Sequence, residues 1–305
     1  MRDTRDRVRV RLAAQIGVEP AALALTTSTT EGCATVVRGL DLAPGHEVVT
    51  TDAEHFGLIG PLVASGARIR VARVRDRPPA EAFDAVRAEV TPRTRLLALS
   101  HVVWITGHRL PAAELREATG LPVLVDGAQS AGAIPVDANT FDYFTVSAQK
   151  WLCGPDATGA VFVRDVESLR VTSPGYFSQA AYDLVEPSFE PRADAARFDT
   201  GWLPTPSLAG LEAALAELPD WRFERAAAAA ARCRERLLEA GFDVVTEPGH
   251  STLVSFRADE PEARVTRCYE AGVVLRDMPG TGLLRASCGY WTSDDDIDRL
   301  IAALS

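Results

Sequence analysis

Through the first two-thirds of the chain, short β-branched apolar runs alternate with helix-like stretches, and that alternation leaves few folds open. The runs occupy residues 47–51, 68–74, 96–100, 122–126, 143–147 and 159–164. Helical patterns fill 57–64, 80–90 and 111–119 between the first four, and Pro111 opens the last of these, where a missing N–H costs nothing. Strands separated by helices predict an α/β fold with a mostly parallel sheet and helices on both faces. VLVD and LLALS have no polar face, as strands buried on both sides require. Residues 165–206 are rich in Pro, Ser and aromatics and read as irregular loops. Helices follow at 207–218 and 221–240. Then come strands at 243–246 and 252–257, a helix at 261–271, strands at 273–275 and 282–288, and a helix at 293–304. The expected division is a large domain over 1–206, then linking helices and a small α+β domain over 207–305.

Net charge is −10, which argues against a nucleic-acid or anionic-membrane binder. No apolar run has membrane-spanning length, and the basic N-terminus MRDTRDRVRVRLAAQIG has no apolar signal core, so the expected location is cytoplasmic. Five cysteines (33, 153, 233, 268, 288) without a CxxC suggest neither a zinc site nor a disulfide framework. The basic residues are more telling. Of 32 Lys and Arg, 31 are arginine and Lys150 is the single lysine. Arginine keeps its proton near neutral pH and forms no Schiff base. Lys150 is therefore a candidate for lysine-only chemistry, against the alternative of a surviving surface lysine.

His101 follows LLALS, Asp126 ends VLVD, Gln129 stands in the next turn, and Ser147 and Lys150 follow YFTVS. In a parallel sheet these carboxyl ends share one edge, where ligands bind. TTSTTEGCATVVRGL (26–40) runs small hydroxyl residues into a helix starting near Thr30 or Glu31, which suits a phosphate but also reads as a plain helix cap. Singly, Asp126 could be a turn residue and His101 a core histidine. Taken together with the sole lysine, the set fits pyridoxal 5′-phosphate (PLP): Lys150 on the aldehyde, Asp126 on the ring nitrogen, Gln129 on the ring hydroxyl and His101 on the ring face.

VLVDGAQSAGAIPVD (123–137) and FDYFTVSAQKWLCGPDATGAVFVR (141–164), with TTEG, SHV, RFDTG and LLRAS in order, resemble the core of the class V aminotransferase-fold enzymes. These fold-type I PLP enzymes include cysteine desulfurases, isopenicillin N epimerase-like proteins and C–S lyases. The resemblance covers about residues 20–305 and implies a seven-stranded, mostly parallel sheet in the large domain. It assigns the Schiff base to Lys150 and the ring contacts to Asp126, Gln129 and His101. Thr30, Glu31 (through its backbone) and Ser147 match the phosphate contacts, and Arg285 matches the arginine that binds the substrate carboxylate. Gln149 stands where many relatives have histidine; it can still hydrogen-bond phosphate but carries no charge. Trp202 stands where relatives often place a threonine that reaches the neighbouring subunit's phosphate, with Thr200 and Gly201 nearby. Relatives carry some tens of additional N-terminal residues over the substrate entrance, implying either a truncated start here or a more open site. The resemblance also implies a homodimer.

Desulfurases need a mobile cysteine, and residues 275–287 contain none; Cys288 falls on a predicted strand. The pattern is closest to the cysteine/cystine C–S lyases, on SHVVWITGHRLP (100–111), LVDGAQSAG (124–132) and RASCGYWT (285–292). In that subgroup arginines matching Arg276 and Arg285 would hold substrate carboxylates during α,β-elimination. An aminotransferase or epimerase would keep the cofactor residues, and a non-catalytic interaction protein is an alternative of another class. His46, His55, His108 and His250 show no ligand spacing and receive no function. Trp104 and Trp151 read as packing, and Cys153 as a small apolar residue buried beside the cofactor.

Overall fold

The computed structural model describes residues 2–304. They pack as two compact units, one of residues up to 101 plus 110–218, the other of 102–109 plus those from 219 on. In the first unit, strands β1 (Leu23–Thr26), β2 (Glu47–Thr51), β3 (Arg68–Ala72), β4 (Thr94–Ser100), β5 (Val123–Asp126), β6 (Tyr143–Ser147) and β7 (Gly159–Val163) form one sheet in the order β1-β7-β6-β5-β4-β2-β3. β7 runs antiparallel to both its neighbours, and the other pairings are parallel. Every residue of β1, β2, β5, β6 and β7 is buried, whereas β3, at the edge, is mostly not. The continuous apolar runs thus follow from being covered on both faces. Helices α1 (Arg2–Gln15), α2 (Thr29–Gly39), α3 (Phe56–Ala64), α4 (Ala82–Ala88), α5 (Ala112–Thr119) and α6 (Thr205–Ala216) belong to this unit.

The second unit contains α7 (Arg222–Glu239), β10 (Leu253–Arg257), α8 (Pro261–Glu270), β11 (Arg276–Met278), β12 (Leu283–Ser287) and α9 (Asp294–Leu304). Its three strands form an antiparallel sheet in the order β10-β12-β11. Phe256, Leu284, Cys233, Leu237 and Leu300 are among its core residues.

The structure differs from the sequence expectations at several points. The strand expected at 243–246 makes only one bridge, Val244 to Phe256, and the strand expected at 273–275 begins instead at Arg276. The stretch expected to be irregular carries a hairpin, β8 (Gln179–Asp183) and β9 (Ser188–Pro191). β1 is only four residues long and merges with the segment after it, so no separate strand pattern marks it. The basic N-terminus forms α1, with Val8 and Leu12 buried one helical turn apart, followed by buried Ile16. Two of its arginines are also buried, which breaks the polar-out rule for a reason that lies far along the chain.

That reason is Asp199. Its carboxylate accepts hydrogen bonds from Arg5 (2.8 Å), from both terminal nitrogens of Arg9 (3.0 and 2.8 Å) and from the Leu25 N–H (2.8 Å). Arg5 also donates to the Thr200 carbonyl, and its guanidinium lies over the Phe177 ring at 4.4 Å. One carboxylate therefore ties α1, β1 and the 199–200 segment together inside the protein. Asp199→Ala leaves two buried guanidiniums without their anion, so it should cost about 3–5 kcal/mol, read as a lowered midpoint in urea denaturation.

Candidate active site

The carboxyl edge of the sheet gathers most of the residues singled out from the sequence. Asp126 ends β5, is buried, and accepts a hydrogen bond from the Ala128 N–H at 2.9 Å. Burial pushes its carboxyl up from the usual range, against the Ala128 bond, the charges of Lys150 and His55, and a hydrogen bond with Thr29. Ser147 ends β6; its hydroxyl accepts from the Thr29 N–H and donates to the Thr29 hydroxyl, each at 3.2 Å. That pair fastens the first turn of α2 to the edge.

Ser28 caps α2, its hydroxyl accepting from the Glu31 N–H at 3.3 Å. The Glu31 carboxylate turns back to accept from the N–H and hydroxyl of Thr27, both at 2.7 Å. This is a capping arrangement in which the side chain of Glu31 serves the backbone. Thr30 is exposed at the same helix start. A Cβ built on Gly57, at the start of α3, would lie 2.6 Å from the Thr30 hydroxyl and 3.2 Å from His55 Nδ1. A larger residue there would displace the Thr30 hydroxyl, so the glycine lets the starts of α2 and α3 approach each other. Two helix N-termini, that of α2 lined with the hydroxyls of Ser28, Thr29 and Thr30, present N–H groups of the kind that suit a phosphate.

Lys150 is exposed just beyond β6. Beside it, Gln149 has a buried Oε1 with no hydrogen-bond partner among the described residues, in an amide whose NH2 group can serve an anion. Gln129 Oε1 accepts from the Trp151 indole N–H at 3.0 Å, which fixes the amide so that its NH2 group can donate elsewhere. Trp151 is thus more than packing. Thr200 is anchored to β1 by its N–H on the Leu25 carbonyl (2.9 Å), and Gly201 packs its backbone against Gly175, where a Cβ on Gly175 would come within 2.6 Å. Cys153, expected to be buried, is exposed; its backbone is left-handed, at φ 54°, in the turn whose N–H returns to the Lys150 carbonyl.

His101 follows Ser100 at the end of β4, and its N–H donates to the Asp126 carbonyl at 2.9 Å. Ser100 stands opposite Asp126 in the β4–β5 register, and Asp126 stands opposite Thr145 in β6. His101 is buried, in edge-to-face contact with Phe141 (5.4 Å) and Phe144 (6.0 Å). The histidine whose charge acts on Asp126 is His55, which caps α3 by accepting from the Gly57 N–H at 3.1 Å. Glu54, just before it, also received no role from the sequence. Both follow the apolar run 47–51, so the strand-end rule that found Asp126 would have found them too.

In the second unit, Arg276 of β11 and Arg285 of β12 stand directly opposite each other. Arg285 is buried, donates to the Trp104 carbonyl at 2.6 Å, and has a buried Nε without a partner among the described residues. Burial, with the nearby charge of Arg276, brings it down to about 10. Arg276 is exposed and lies over the Trp104 ring at 5.6 Å. Trp104 therefore holds one arginine by its carbonyl and the other by its ring. Cys288 is buried just beyond the end of β12.

Among the described residues no helix is long and apolar enough to cross a membrane. Isopenicillin N epimerase of Streptomyces clavuligerus is 30% identical to this chain, over 96% of it and 82% of the epimerase. The cysteine desulfurase CsdA of Escherichia coli K12 is 27% identical, over 86% of this chain and 72% of CsdA. Among solved structures, a complex of the cystine C–S lyase C-DES with its product cysteine persulfide superposes with a TM-score of 0.91 at 29% identity, covering 99% of this chain and 86% of that one. A mutant of C-DES with glycine covalently linked to its PLP cofactor superposes equally well, at 0.91. The family model for aminotransferase class V matches residues 1–300, so this chain belongs to the class V aminotransferase family and is a PLP-dependent enzyme.

Proposed function

We propose that the protein is a C–S lyase that cleaves cystine, cysteine or a cysteine S-conjugate by α,β-elimination. With cystine and one water the products are pyruvate, ammonia and cysteine persulfide. The observation that carries this reading is the pair of arginines, one buried and one exposed, set opposite each other on β11 and β12. One guanidinium suffices for an α-carboxylate, and a second suits a substrate with a distal one. The absence of cysteine from 275–287 sets the chain apart from enzymes that carry sulfur on their own thiol. Similarity to C-DES supports the lyase, while 30% identity to an epimerase over most of the chain supports inversion at Cα as the second reading.

Bound PLP supplies an electron sink for the charge that develops at Cα. Lys150 would hold its aldehyde, and its Nζ is the base that would take the Cα proton. Asp126 keeps a proton on the ring nitrogen, and the Gln129 amide donates to the ring hydroxyl. His101 would stack on the ring face, and the charge of His55 acts on Asp126. The hydroxyls of Thr30 and Ser147, the Glu31 N–H and the Gln149 amide receive the phosphate. Arg285 forks onto the α-carboxylate and Arg276 holds a distal carboxylate. The protein works as a homodimer, to which Thr200 and Gly201 contribute near the neighbouring phosphate.

Borohydride treatment of the purified yellow protein should leave one pyridoxyl group, on Lys150, as found by peptide mapping; a colourless protein that takes up no PLP would refute the cofactor assignment. His101→Ala should weaken PLP retention on dialysis; retention equal to the wild type would remove His101 from the ring. Cystine should yield pyruvate without any added 2-oxo acid. Arg285→Ala should lower kcat/KM for every substrate by about 1.5–3 kcal/mol. Arg276→Ala should act mainly on dicarboxylate substrates, and equal losses on cysteine and cystine would remove the distal anchor. Inversion at Cα with solvent exchange and no pyruvate would favour the epimerase.

A further inference from the structure

The Glu54 carboxylate takes no part in the proposed reaction, yet it lies at the same edge as Asp126. One oxygen accepts from the Thr51 hydroxyl at 2.7 Å. The other accepts from the Ser100 N–H at 2.9 Å and from the Ser100 hydroxyl. Ser100 is the register partner of Asp126, so Glu54 is clamped to the strand end next to the one that carries Asp126. The residue after Glu54 is His55, the cap of α3. The titratable groups interacting with Glu54 or with Asp126 come from four elements: Asp126 itself on β5, Cys33 of α2, His55 before α3 and Lys150 after β6.

Two carboxylates in one desolvated edge repel, and one of them is best left neutral. Asp126 has the Ala128 N–H and the charges of Lys150 and His55 to favour its anion. For Glu54, burial outweighs the bonds from Ser100 and Thr51, the charge of Asp126 adds to it, and the carboxyl is pushed up to about 7. A cation brought to Asp126 changes this balance, because an opposite charge nearby favours the ionised form.

We infer that Glu54 is a positioning residue that keeps its proton while the ring-nitrogen position at Asp126 holds no cation, and releases it to solvent when the protonated ring nitrogen of PLP arrives. The cofactor's positive charge then faces two carboxylates instead of one. By linkage the ionised Glu54 holds the proton on the ring nitrogen more firmly, so the electron sink is at full strength at neutral pH and weakens only where Glu54 regains its proton, below neutrality. The inference rests on the ring-nitrogen role proposed for Asp126.

The test is calorimetric titration of the PLP-free full chain with PLP, in two buffers of different ionisation enthalpy, at several pH values around neutrality. The slope against ionisation enthalpy counts the protons exchanged, independently of turnover. Near pH 7 the wild type should release a fraction of a proton more than Glu54→Gln, and the difference should vanish well below and well above that pH. Ser100→Ala removes a donor from the carboxylate and so raises its proton affinity; it should move the extra release to higher pH, and it tests the idea even if Glu54→Gln folds poorly. A role in packing alone would change affinity or stability but not the proton count. Equal counts for wild type and Glu54→Gln, or an unmoved pH of release in Ser100→Ala, would overturn the inference alone. A chain that takes up no PLP would overturn it together with the cofactor assignment.

Discussion

The pleat of the parallel strands, locked in register at the carboxyl edge, governs what this site can contain. Ser100, Asp126 and Thr145 stand side by side across β4, β5 and β6, so their side chains share a face. That face also carries α2, whose Cys33 approaches the Thr145 hydroxyl and whose Gly32 leaves room for the Thr145 methyl at 2.9 Å from where a Cβ would stand. A step of one residue along any of these strands crosses to the opposite layer. His101, just beyond β4, joins the rings of Phe141 and Phe144, while Glu54 and His55 reach the Asp126 side from the turn after β2.

Around this edge, polar groups are paired before they meet any ligand. Glu31 answers Thr27, Ser28 caps α2, Ser147 holds Thr29, and Gln129 is oriented by Trp151. Side chains held this way lose little freedom when a ligand binds, which is how a site is preorganised. Gln149 Oε1 has no partner among the described residues, and Gly57 leaves open the space that a Cβ would fill beside Thr30. Such gaps are expected where a ligand completes the structure.

Buried arginines serve two different ends in the two units. Arg5 and Arg9 share the carboxylate of Asp199 and are structural. Arg285 has no carboxylate partner among the described residues: it has a carbonyl, a like charge across the register and an unpaired Nε. An uncompensated buried cation is costly. An arriving carboxylate offsets that cost, and this distinguishes an arginine that holds the fold from one that waits for a substrate.

How much was legible in the sequence follows from which interactions are local. The alternation of apolar runs and helices dictated a mostly parallel α/β sheet, because each run records its own burial. Lysine chemistry was legible because one lysine stands among 31 arginines. Asp126 was legible because a carboxylate that ends a buried apolar strand needs a compensating charge or donor beside it. Four-residue β1, the arginine-rich α1 and the β8–β9 hairpin were not legible. The first two depend on Asp199, more than 170 residues away, and the hairpin is made by pairing between exposed strands; no local apolar pattern records either. Nor did the sequence assign a role to His55. It follows an apolar run, but that its charge acts on Asp126 was decided by tertiary packing. Residue types and the succession of strands and helices were set by the sequence alone. Which groups meet Asp126, and in what protonation state, was decided by tertiary packing, which sets the facing side and the loss of water together.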